Sequence, residues 1–265
     1  MIKIGTTSFG FRYSFIDPND SPPLTAVLQQ CRNVGLERFK ICENTRPLEL
    51  SAADWHAVAR CAADLGMELQ LGCKTLEAEV VYRYMDVAGQ LGCRQLRIVM
   101  EEEDRHPTQD DIVGLFDAVV PRMEAAGMRL AVENHFDISS ALLDTLAEPY
   151  PRDVVGYCID TANSLRSFES PLEVIRLLQP RAFCYHLKDY HVIGTKISFT
   201  VIGAPLGEGQ LDLDGCLEMI FAHDNSPQLF VETWTPPTDD RQRDVQTEAD
   251  WLDRSVKSLA TRLPA

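Results

Sequence analysis

The sequence predicts an α/β protein, a (β/α)8 barrel folded as one domain over residues 1–265. Three observations lead there. Short apolar strand patterns alternate with amphipathic helix patterns from end to end, the signature of a parallel sheet. Eight such units fit into 265 residues, close to the roughly 250 that a closed barrel of this kind takes. A doubly wound open sheet usually carries a Gly-rich turn after its first strand, and Gly5-Thr6-Thr7-Ser8-Phe9-Gly10 does not match that dinucleotide-binding pattern.

Taken in order, strand one covers residues 3–8, and a helix over 24–34 follows the Pro22-Pro23 pair and stops at Gly35, as helix C-termini prefer. Strand two, 38–42, runs into Glu43. Helix two starts from Ser51 as N-cap with Asp54 three residues on, carries Trp55, Val58, Ala59 and Ala62 at helical spacing, and closes at Gly66. Strand three, 67–73, arrives at Lys74; helix three covers 77–91 and stops at Gly92. Strand four, 95–99, precedes the acidic run Glu101-Glu102-Glu103-Asp104, read as a solvated loop, and helix four covers 108–126. Strand five is Leu130-Ala131-Val132, with a short helix over 139–146; strand six covers 156–159. Helix six begins at Pro171, a residue suited to a first turn, and strand seven covers 182–185. The longest connection, 189–213, holds the Gly-rich stretch 203–209, read as a turn-forming lid or a backbone contact to substrate. Helix seven covers 214–222, strand eight 229–231 and the final helix 247–261.

A formal net charge of −15 and a pI near 4.8 favour solubility and oppose a nucleic-acid partner or an anionic membrane surface. The eight cysteines form no C-x-x-C pair and lie mostly in apolar segments, where a thiol behaves as a small hydrophobe. Met1-Ile2-Lys3-Ile4-Gly5 opens directly on a strand with no signal peptide, so a cytoplasmic location is expected. No apolar run reaches the roughly 18–20 residues of a membrane span. Nothing in the sequence speaks against a homo-oligomer.

The functional signal lies at four strand ends. Strand five delivers Glu133, strand six Asp160, strand seven His186 and strand eight Glu232. Polar groups at the tip of an apolar strand are costly when buried without partners, and in a barrel all such tips converge on one face, where active sites sit. One Glu or Asp after a strand is ordinarily an N-cap or a solvated loop residue. Four metal-competent groups on four successive strands instead predict one shared divalent ion. Three carboxylates and an imidazole form a hard donor set, suited to Mn2+ or Mg2+, with Co2+ or Zn2+ as alternatives, and leave coordination positions for substrate.

The segments Ala-Val-Glu-Asn-His (131–135), Cys-Ile-Asp-Thr-Ala-Asn (158–163), Tyr-His-Leu-Lys-Asp (185–189), Pro-Leu-Gly-Glu-Gly-Gln-Leu-Asp (205–212) and Phe-Val-Glu-Thr-Trp (230–234) resemble the xylose isomerase-like TIM-barrel superfamily. That group includes sugar phosphate isomerases and epimerases, ketose 3-epimerases, hydroxypyruvate isomerase, inosose dehydratase and endonuclease IV. The resemblance implies that Glu133, Asp160, His186 and Glu232 hold a divalent ion and that Glu133 and Glu232 form an acid/base pair. It further implies a small carbohydrate substrate, a sugar, sugar phosphate or sugar acid, handled through an enediolate by an isomerase or epimerase. Many relatives carry His where this chain has Asn163, and Asn cannot carry a proton. That departure, with Lys188 beside the expected metal, brings forward a lyase as the alternative: dehydration or decarboxylation of an oxo-sugar acid. An endonuclease IV-like repair role is opposed by the charge and by the placing of His56, His106 and His223 in helices or outer loops.

Asn163, Lys188, His135 and His191 are expected at the substrate, His135 and His191 as replacements for the missing histidine. Glu43 and Lys74, ending strands two and three, divide between substrate contact and structural ion pair. Trp234 is expected as rim packing.

Overall fold

The computed structural model describes residues 2–101, 106–136 and 138–264. Eight parallel strands close into a barrel: β1 (Ile4–Thr7), β2 (Arg38–Ile41), β3 (Glu68–Lys74), β4 (Gln95–Val99), β5 (Arg129–Glu133), β6 (Val155–Asp160), β7 (Ala182–Leu187) and, after an antiparallel hairpin of β8 (Asp189–Gly194) and β9 (Phe199–Ala204), β10 (Leu229–Val231). Each strand pairs in parallel with its sequence neighbour in the barrel, and β10 closes the ring on β1 through Ile4 with Leu229 and Thr6 with Val231. The helices α1 (Leu24–Asn33), α2 (Ala52–Leu65), α3 (Ala78–Leu91), α4 (Gln109–Ala125), α5 (Ser140–Ala147), α6 (Pro171–Leu178), α7 (Leu213–His223) and α8 (Arg241–Ala260) connect them.

The local reasons match the sequence. Ser51 and Asp54 exchange side-chain and backbone hydrogen bonds as a capping box on α2, and Thr108 and Asp111 do the same on α4, satisfying first-turn N–H groups that otherwise lack partners. Gly66 and Gly92 end their helices at φ 64° and 68°, a region where a Cβ would be strained. Two expectations needed revision. The connection after strand seven is not a plain loop, because residues 189–204 form the β8–β9 hairpin. The last helix begins at Arg241, six residues before the expected start, because Asp240 caps it by accepting from Arg243 N.

Strand alternation sorts side chains into two cores. Leu130 and Val132, Tyr157 and Ile159, Tyr185 and Leu187, and Leu229 and Val231 face the helices in the main core. Ala131, Cys158, Cys184 and Phe230 form a separate cluster inside the barrel. Near the opposite, N-terminal end, Gln70 donates to Gln228 (2.5 Å) and Gln95 to Gln70 (3.4 Å). All eight cysteines are free thiols. No helix among the described residues is long and apolar enough to cross a membrane.

Candidate metal centre

The alternation that buries Ala131, Cys158, Cys184 and Phe230 inside the barrel turns the next inward positions toward its C-terminal mouth. Those positions are Glu133, Asp160, His186 and Glu232. Register holds them level: Asp160 pairs with His186, and Phe230 sits opposite His186. All four are buried. The amide of Asn134 ties two of the tips, accepting from Asp160 N (2.7 Å) and donating to Asp160 O (2.9 Å).

The four side chains form one cluster. His186 Nδ1 lies 3.1 Å from Glu232 Oε2 and 3.4 Å from Glu133 Oε2. Glu133, Asp160 and His186 each offer a ligand atom within 4.8 Å of the others. Glu232 joins this triangle through His186 and is steadied by Thr7, whose hydroxyl donates to Glu232 Oε2 at 2.7 Å. Asp160 Oδ1 accepts from Ala162 N and Asn163 N (2.8 and 2.9 Å), whereas Asp160 Oδ2 and His186 Nδ1 are buried without an aligned hydrogen bond, facing the Lys188 ammonium at 3.0 Å and the Glu232 carboxylate at 3.1 Å. They meet the description of metal donors, and the donor set fits a hard divalent cation.

Cations already thread the cluster. Lys188 Nζ stands 2.7 Å from Glu232 Oε1, 3.0 Å from Asp160 Oδ2 and 3.3 Å from Asn163 Oδ1. Arg97 Nε donates to Glu133 Oε2, and its Nη1 reaches Glu43 at 3.2 Å. Asn163 Nδ2 takes the other Glu133 oxygen at 2.9 Å. Burial drives the Glu133 carboxyl upward, but Arg97, then His186 and Lys188, outweigh it and hold it down at about 2. Glu232 is likewise drawn well below the usual range, with Lys188 and His186 overcoming burial. Asp160 goes the other way, because burial exceeds the pull of Lys188.

A second polar group lies at the ends of β3, β4 and β5. Glu101 accepts from His135 Nδ1 at 2.5 Å and pairs with Lys74 at 3.3 Å. Burial lifts Glu101, but His135 and Lys74 together leave it below its ordinary value. Glu101 is therefore a buried partner rather than part of a solvated run; Glu102, Glu103 and Asp104 lie outside the described residues. His135 and Lys74 meet each other's partner here, Glu43 meets Arg97, and Asn163 and Lys188 enter the main cluster. His191 does not join them: it is exposed on β8, opposite Ile202.

Sequence reading missed Arg97 and Lys40, both buried and inward-facing. The signal was present, since each is a cation between two apolar residues of a strand, Arg97 between Leu96 and Ile98 and Lys40 between Phe39 and Ile41. The Gly-rich stretch also has a structural explanation. The Asp189 carboxylate accepts from Tyr190, Gly207, Gly209 and Leu211 N at 2.7–2.9 Å. A Cβ on Gly209 would meet Asp189 Oδ1 at 2.2 Å. Trp234 Nε1 donates to Asp189 O at 2.8 Å, so it anchors the hairpin at the rim.

A family model described as xylose isomerase-like TIM barrel matches residues 28–255. The chain belongs to that family. A 3-oxo-isoapionate decarboxylase of Pectobacterium atrosepticum is 29% identical over 265 residues, 99% of this chain and 96% of that protein. Among solved structures, the probable 3-DHS dehydratase AsbF of Bacillus anthracis superposes with a TM-score of 0.75 at 14% identity, covering 99% of this chain and 100% of its own. An L-ribulose 3-epimerase superposes with a TM-score of 0.74 at 16% identity, covering 99% and 95%. At such identities these two structures speak for the fold alone. Within the xylose isomerase-like family, then, this barrel brings together residue groups able to hold a metal.

Proposed function

We propose that this chain is a divalent-metal-dependent lyase that decarboxylates a 3-oxo sugar acid. The observation that carries the reading is the state of Glu133: Arg97 holds one carboxylate oxygen and Asn163 the other. A carboxylate so engaged and held at about 2 is a poor base for removing a C–H proton, because a useful base has a pKa near the working pH. Decarboxylation requires no such base. It requires an acceptor for the electron pair released when the bond to the carboxylate carbon breaks, and a cation to orient the departing carboxylate. The full-length likeness to a decarboxylase of an oxo-sugar acid points the same way.

Glu133, Asp160 and His186, with Glu232, would hold the ion, Mn2+ or Mg2+ by donor type. When bound, such an ion stabilises negative charge developing on a substrate oxygen. The chain's own groups do the rest. Lys188 is the cationic side chain positioned to orient the departing carboxylate, while solvent supplies the proton that carbon takes up after CO2 leaves. Burial lowers its proton affinity, but Asp160 and Glu232 more than restore it, so it is charged at neutral pH. The Lys74–Glu101–His135 group offers hydrogen bonds to sugar hydroxyls at the rim.

A second reading, isomerase or epimerase on a sugar or sugar phosphate, draws on the presence of two carboxylates, Glu133 and Glu232, within 3.4 and 3.1 Å of His186 Nδ1, which could serve as an acid/base pair. The test is to incubate the Mn2+-loaded protein in D2O with 3-oxo sugar acids and with ketoses. Release of CO2 with one deuterium entering the product carbon supports the lyase. Deuterium exchange into ketoses without CO2 overturns it in favour of the isomerase.

A further inference from the structure

The barrel has a second polar end. At its N-terminal base a cavity of about 610 Å3 opens among the starts of β3, β4 and β5, the helix α2 and Gln228, the residue before β10. That volume lies within the roughly 300–1,000 Å3 of small-molecule sites. The chemistry at the mouth does not use it, since β5 runs from Arg129 at the base to Glu133 at the mouth, about 13 Å of strand.

The lining is selective in charge. In a chain with 40 acidic and 25 basic side chains, this cavity is faced by two arginines and by Glu68, a carboxylate already taken by Lys3 and Arg38. Among the described residues, neither Arg94 nor Arg129 has a carboxylate partner. Their backbones are adjacent, because Arg129 N donates to Arg94 O at 2.8 Å. Each guanidinium is steadied by one neutral contact: Arg94 Nη1 donates to Ala126 O at 3.2 Å, and Arg129 lies 5.1 Å from the centre of the Phe183 ring. A guanidinium carries five N–H donors in a fixed fork, so most of them remain for a ligand.

The uncharged lining supports the same chemistry. Gln95, which is buried, donates to Gln70, and Gln70 donates to Gln228. The amide chain runs one way and ends at the cavity wall on the Nε2 donors of Gln228, for which no acceptor lies among the described residues. Ala59 and Ala62 of α2 and Leu91 give the cavity an apolar flank against which a short carbon skeleton can rest.

We propose that this base cavity binds a small organic oxyanion, a carboxylate or a phosphate ester, gripped by Arg94 and Arg129 and supported by Gln228. Planar forks of this kind match the paired oxygens of either group. The site is independent of what the mouth catalyses.

The test titrates the full chain with inorganic phosphate and, separately, with malonate, at constant ionic strength in chloride, following backbone amide shifts and calorimetric heat. Saturable binding should move the amides of Arg94, Gly127, Arg129 and Gln228, and the tighter of the two probes tells phosphate from carboxylate. Arg94→Met and Arg129→Met should each weaken binding at least about tenfold, as loss of a charge-assisted hydrogen bond does. Lys188→Met, at the mouth, should leave it unchanged. No saturable binding of either probe, shifts confined to the mouth, or equal affinity in both arginine variants would overturn the proposal. Should an arginine variant not fold, the wild-type shifts decide, because a ligand that does not move the base amides is not in this cavity.

Discussion

Arg97 on β4 donates from Nε to Glu133 Oε2 on the adjacent β5, with both side chains buried inside the barrel. The pair makes stability depend on acid. Glu133 is held at about 2 in the folded chain against an ordinary 4.5, so the stabilisation is complete above about 4.5 and is lost as pH falls toward 2. A depression of that size corresponds to roughly 3 kcal/mol. Arg97→Met should remove most of it, cost about 3–5 kcal/mol near neutrality by leaving Glu133 and Glu43 short of a cation, and flatten the acid limb. Urea unfolding at several pH values measures both effects. An unchanged slope between pH 5 and 3 would show that the pair is not what holds Glu133 down.

Lys188 should separate metal binding from chemistry. Its ammonium lies between Asp160 and Glu232, so a divalent ion entering the cluster meets a like charge. Lys188→Met removes that repulsion, and Mn2+ affinity should be unchanged or tighter. Turnover should nevertheless fall about 100-fold or more, in the range found when a charge-stabilising group is removed from an active site. Calorimetry and steady-state rates read the two outcomes. A loss of metal affinity comparable to the loss of rate would place Lys188 among the structural supports of the ligands.

The barrel and the four strand-end residues were legible because both follow from short-range pattern. Alternation of strand and helix implies the ring, and the ring brings Glu133, Asp160, His186 and Glu232 to one mouth. What was not legible depends on which inward residues meet across the barrel. Arg97 and Lys40 reach the cluster from β4 and β2, and no spacing along the chain says that a cation on one strand answers a carboxylate on another. Glu101 was hidden in a run of acids whose composition suggests solvent, although it is buried against His135 and Lys74. His191 stood close in sequence to His186 and Lys188, but the hairpin that begins at Asp189 carries it to an exposed position.

That hairpin and the Gly-rich stretch share one anchor. Asp189 accepts four backbone N–H groups, from Tyr190, Gly207, Gly209 and Leu211. Asparagine would present a single oxygen and no charge, so Asp189→Asn should lose about 2–4 kcal/mol, since bonds to a charged acceptor are worth roughly 1.5–3 each. Limited proteolysis should become fast between residues 203 and 211, with Mn2+ affinity kept. Gly209→Ala should resemble it, because its Cβ would fall 2.2 Å from Asp189 Oδ1 and 2.5 Å from Tyr190 O. Resistance to proteolysis in both variants would mean that the stretch is held by other contacts.

Metal removal gives the most direct reading of the centre itself. An ion that binds the folded chain and not the unfolded one stabilises by mass action, about 2.7 kcal/mol at a free concentration 100 times Kd. For a chain of this size that is a rise in Tm of roughly 5 °C or more. Thermal unfolding with EDTA and with saturating Mn2+ should show that shift in wild type. Glu133→Gln should lose most of it, since Gln offers a neutral oxygen where the triangle with Asp160 and His186 has a carboxylate. His135→Ala should keep it, because His135 pairs with Glu101 rather than with the triangle. A shift abolished by His135→Ala and retained by Glu133→Gln would move the metal to the rim group and away from His186.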